Sequence, residues 1–136
     1  MTLLITAAFE PELAPLRELV GDMPGVELQA VGIGLAAAAA GTAALLARAP
    51  DDSRLLFIGS LGAVGPQTPL LTAVSATEVS LVDSAICKED GYLPELYRSS
   101  YRADDGLGQH LKNALPELLF EPIYTSPSIT RNPQLA

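Results

Sequence analysis

The chain has 136 residues, 49% of them hydrophobic, enough for one compact domain with a real core but not for two. A formal net charge of −8, with 8 Lys and Arg scattered without a run, excludes a polyanion partner, because displacing counterions from nucleic acid needs clustered cations. No stretch reaches membrane-spanning length, the N-terminus lacks the basic and apolar regions of a signal peptide, and the one cysteine, Cys87, has no partner for an internal disulfide. The reading is a single domain over 1–136, cytoplasmic, with neither a membrane nor a nucleic-acid partner.

In chain order, TLLITAAF reads as an apolar strand over residues 2–8, followed by a helix over 10–20 in which Leu13, Leu16, Leu19 and Val20 recur at helical spacing. Pro11 suits the first turn of that helix. A second strand is expected over 26–31, and the alanine-rich segment after Gly34 predicts a helix over 34–48. The run RLLFIGS predicts a third strand over 54–59, covered on both faces and breaking into glycines where it leaves the core. A longer strand, possible to bend, is expected over 72–83. Residues 84–103 are the least regular stretch. A helix capped by Asp104 or Asp105 is expected over 104–115, and a fifth strand over 121–126. This alternation predicts an α/β protein, three-layer α/β/α with a central mostly parallel or mixed sheet. The chain then runs into PSITRNPQLA, a polar segment with no closing helix, which suggests that the C-terminal part of the fold is missing.

Glu10 and Glu12 follow the first strand, on the same sheet edge as the loop Gly59–Gly62 if strands one and three are parallel. A carboxylate there can serve as a general acid or base, although acidic residues in a first helical turn also simply favour the helix dipole. Glycines after a strand let backbone approach a ligand, and Ser60 adds a hydroxyl able to donate. The turn Gly32–Gly34 can hold an anion or do no more than reverse the chain. His110 has no second ligand at metal spacing, and Cys87 has no histidine beside it in sequence, so neither is assigned chemistry.

Taken together, ITAAFEPELAPLRELV, VGIGLAAAAAGTAALL, IGSLGAVGP, YRADDGLGQHLKNAL and IYTSPSITRN resemble, in order, segments of the purine nucleoside phosphorylase and nucleosidase superfamily. The likeness is greatest to the methylthioadenosine/S-adenosylhomocysteine nucleosidases and futalosine hydrolases. The resemblance implies a nucleoside phosphorylase-like fold and hydrolysis of the N-glycosidic bond of a methylthioadenosine, adenosylhomocysteine or futalosine-type nucleoside, with no cofactor and no metal. It implies that Glu12 activates the attacking water, that Ala8, Phe9 and Ile33 line the pocket, that Ser60, Leu61 and Gly62 lie under the ribose and base, and that Ser128, Ile129 and Thr130 hold the purine. A small-molecule nucleoside is the implied partner, and a homo-oligomer, a dimer, the implied assembly. The family's Glu-Met-Glu ribose clamp and its Ser-Asp leaving-group acid do not occur in these residues, so the chain alone is expected to be inactive or barely active. Alternative readings are a non-catalytic nucleoside-binding or interaction protein, a nucleoside phosphorylase, and, ranked last, an unrelated Rossmann-like cofactor domain.

Overall fold

Of the 136 residues, the computed structural model describes 1–62, 68–83, 88, 90–92 and 100–126. Cys87, Ser128, Ile129 and Thr130 lie outside the described residues. Two units are distinguished, Met1–Gly62 and Ala63–Ala136.

In the first unit β1 (Leu3–Ala7) is the middle strand, flanked by β2 (Val26–Ala30) and β3 (Arg54–Phe57), all parallel. Its continuous apolar run is explained by burial on both sides: Leu4, Ile5, Thr6 and Ala7 are all buried. Alternate residues supply two cores. Leu4 packs with Val31 and with Leu45 of helix α2 (Leu35–Leu46), whereas Ile5 and Ala7 pack with Leu13 of helix α1 (Glu10–Val20). The two helices therefore cover opposite faces, giving helix, sheet and helix as three layers. Thr6, the buried polar residue of the middle strand, donates its hydroxyl to the Leu56 carbonyl at 3.5 Å, which offsets part of the penalty of burying it.

The chain passes from β1 to β2 on one side, then crosses to β3 on the other. The connections thus reverse direction at the β1/β3 pair, the place where open α/β sheets leave a crevice at the carboxyl ends of their strands. Three backbone bonds fix that edge: Val31 N–H to Ala7 O, Gly32 N–H to Ala8 O, and Ile58 N–H to Thr6 O. Gly32 has a φ of +114°, a conformation open to glycine and strained for other residues.

In the second unit β4 (Val74–Leu81) pairs antiparallel with β5 (Ser100–Arg102) and parallel with β6 (Leu119–Thr125). Its register with β6 shifts between Ala76 and Glu78; a bulge of this kind bends and twists a long strand. Helix α3 (Asp105–Ala114) starts on an Asp104 cap that accepts from the Leu107 N–H at 2.6 Å. Strand β5 escapes the sequence reading because three residues, Ser-Tyr-Arg, are too few to show a period of two.

Glu78 and Ser80 stand two apart on β4, and Ser80 faces Ser100 in the β4–β5 register. The Glu78 carboxylate accepts from the hydroxyls of Ser100 and, at 3.1 Å, of Ser80. These bonds, with Arg102 adding a smaller attraction, hold its pKa below the ordinary value of 4.5. A group whose pKa is lowered on folding contributes stability above its unfolded pKa and loses it as pH falls through the folded one. Acidification below about pH 4.5 should therefore lower the melting temperature, and Glu78→Gln should flatten that slope. An identical acid slope in the variant would show that these hydroxyl bonds do not couple to folding.

Candidate functional site

A cleft of about 370 Å³ opens at the β1/β3 edge, lined by Phe9, Glu12, Ile58, Gly59 and Ser60. Every lining residue belongs to the first unit. Phe9 lies two residues past β1 and caps α1 in an extended conformation without a side-chain cap bond. Glu12 follows in the first turn of α1, one residue before Leu13, which is fully buried. Burial of Leu13 fixes the helix rotation, and that rotation carries Glu12 to the cleft. Ile58, Gly59 and Ser60 continue from β3.

The two candidate carboxylates separate clearly. Glu10 bonds Arg17, with Nε to Oε1 at 2.5 Å, and this hydrogen bond holds its pKa below the ordinary carboxylate value. Arg17 also donates to the Leu28 carbonyl at 3.0 Å, so the pair joins α1 to β2 and serves structure. Glu12 is half-buried, and its carboxylate accepts the Ala8 N–H at 3.2 Å on Oε2 and the Ser60 N–H at 3.4 Å on Oε1. Of the described residues lining the cleft, Glu12 alone is ionisable. A carboxylate with lone pairs to spare at the mouth of a largely apolar cleft can take a proton from water or from a hydroxyl.

The remaining sequence candidates occupy several positions. Ala8 touches the site through its N–H. Phe9 lines the cleft and is 42% exposed. Ile33 sits on the Gly32–Gly34 turn at the carboxyl end of β2, beside Ala8 through the Gly32 bond, and its side chain is exposed. Leu61 and Gly62 follow Ser60, both exposed, and are not among the lining residues. Ile58 is a lining residue that the sequence reading placed only in the third strand, whereas Gly59 falls in the Gly59–Gly62 loop expected to bring backbone close to a ligand. The signal for them was the position of the Phe-Ile-Gly-Ser junction, where alternation turns Ile58 inward and glycine exposes backbone.

His110 is exposed on α3, with Nδ1 2.7 Å from the Gly106 carbonyl. Among the described residues, no group of three or more His, Cys, Asp or Glu is placed to hold a metal ion, and no helix is long and apolar enough to cross a membrane.

No protein-family model and no curated protein matches the chain. Solved structures do. A mutant Helicobacter pylori MTAN holding 5′-methylthioadenosine in its active site superposes with a TM-score of 0.74 at 19% identity over 93% of this chain and 65% of that one. The Streptococcus pneumoniae MTA/SAH nucleosidase in complex with 8-aminoadenine gives 0.73 at 23% identity, over 94% and 65%. A futalosine hydrolase mutant of Helicobacter pylori gives 0.76 at 18% identity, over 97% and 70%. This chain has the nucleoside phosphorylase-like fold. It spans 65% of the length of the first two of these nucleosidases. Parallel pairing in β2-β1-β3 and mixed pairing in β5-β4-β6, with helices between the strands, agree with that fold.

Proposed function

We propose that this chain supplies the water-activating side of a purine nucleosidase site, acting on a methylthioadenosine, adenosylhomocysteine or futalosine-type nucleoside. The observation that carries the reading is the placement of Glu12, at the switch point of the sheet, in a cleft whose other described walls are Phe9, Ile58, Gly59 and Ser60. The structures of like fold include nucleosidases with 5′-methylthioadenosine and 8-aminoadenine bound, which supports a nucleoside as the occupant.

Cleaving an N-glycosidic bond builds positive charge on the sugar. A nearby carboxylate stabilises that charge and can accept the proton of the water whose oxygen bonds to the anomeric carbon. The base departs with the electron pair of the broken C–N bond and needs a proton of its own. Among the described residues lining the cleft none supplies that proton or a ribose clamp, so the chain alone is proposed to hold nucleoside with little turnover. The reading carries with it a cytoplasmic homodimer.

The test is a purine-release assay on the full gene product with the three nucleosides, in phosphate-free buffer. Release of free sugar and base supports hydrolysis. A strict requirement for phosphate would favour a phosphorylase, and binding without release the non-catalytic alternative.

A further inference from the structure

We propose that Gly59 is a positioning residue for Glu12: the absence of side-chain bulk beyond a Cβ at this position lets the Ser60 N–H complete a two-point grip on the carboxylate, the other point being the Ala8 N–H. The inference rests on the reading of Glu12 as the base. Each carboxylate oxygen takes one donor, Oε2 from Ala8 at 3.2 Å and Oε1 from Ser60 at 3.4 Å. The donors follow β1 and β3, adjacent strands held in register, so the sheet itself sets the distance between them. A carboxylate gripped at both oxygens cannot rotate about its last bond without losing a partner. Its remaining lone pairs then keep a constant direction, which is what a general base requires.

Gly59 is where this arrangement is most easily broken. A Cβ there would stand 3.4 Å from Glu12 Oε1 and 3.6 Å from the Phe57 ring. Alanine therefore fits at ordinary contact. Valine adds two methyl groups beyond that Cβ, in a space bounded by the carboxylate on one side and the ring on the other, and must displace one of them.

Amide-resolved NMR over a pH series, without substrate, tests the grip directly. In the wild-type protein the Ala8 and Ser60 amide protons should titrate with one common midpoint, and both responses should vanish in Glu12→Gln. In Gly59→Val the Ser60 response should disappear while that of Ala8 remains, and base release by the full gene product should fall about 10-fold to 100-fold, chiefly in kcat. Gly59→Ala, whose Cβ meets Glu12 and the Phe57 ring at ordinary contact distance, should keep the Ser60 response. A Ser60 amide that does not titrate in the wild-type protein would overturn the proposal even if Gly59→Val fails to fold. So would a Gly59→Val protein with both responses intact. A common titration in a protein that releases no base would leave the grip standing and count against the nucleosidase reading.

Discussion

Glu12→Gln in the full gene product is expected to lower the rate of base release by about 10²-fold to 10⁴-fold, the range typical of a lost general acid–base group. Glutamine keeps the length and most of the shape of glutamate, and its carbonyl oxygen can still accept one of the two N–H groups that Glu12 accepts from Ala8 and Ser60. It cannot take a proton from water. The loss should therefore fall on kcat, with KM changed much less, because the cleft walls Phe9 and Ile58 are unchanged. Glu10→Gln provides the contrast. Its carboxylate is engaged by Arg17, so that exchange should leave turnover near wild type. Equal losses at positions 10 and 12 would show that the cleft geometry does not distinguish the two carboxylates.

The largest expected stability effect lies at Gly41, in the middle of α2. Replacing a helix-interior glycine with alanine ordinarily gains roughly 0.5–1 kcal/mol. At this position a Cβ would stand 2.0 Å from the Val31 carbonyl oxygen and 2.8 Å from its carbon. Both are main-chain atoms at the end of β2, so relief requires moving the helix off the sheet. That movement opens the cluster of Leu4, Val31 and Leu45. Overpacking of this kind outweighs the propensity gain, and Gly41→Ala is expected to destabilise the protein by about 3 kcal/mol, with a fall in melting temperature on the order of 10 °C. Gly108 in α3 is the internal control: its nearest neighbour would be the Phe120 ring at 3.8 Å, and alanine there should be neutral or stabilising. Denaturant melts should show a large loss of stability for Gly41→Ala and none for Gly108→Ala.

Much of the first unit could be read from residue order. LLITA alternates into two cores, Leu13 and Leu16 recur on one helical face, and the glycines after Phe57 mark the strand end, so β1, α1, β2, α2 and β3 fall within a few residues of expectation. Gly41 was not legible, because a glycine inside an alanine-rich helix looks the same whether it faces solvent or a carbonyl. The choice between Glu10 and Glu12 was equally closed to periodicity. It depends on Arg17 lying seven residues along α1 to engage one carboxylate, and on Ser60, 48 residues away, meeting the other. Strand β5 depends wholly on its partner: Ser100 and Tyr101 carry no apolar pattern and become a strand by pairing with Ser80 and Val79.

In the proposed function a nucleoside sits at the β1/β3 edge against Glu12. Amide chemical-shift mapping of the 136-residue chain, titrated with 5′-methylthioadenosine, tests it most directly and needs no turnover. Saturable shifts centred on Phe9, Glu12, Gly59 and Ser60 are predicted. Shifts absent from these residues at saturating nucleoside, or confined to the opposite strand ends around Gly25 and Ser53, would contradict it.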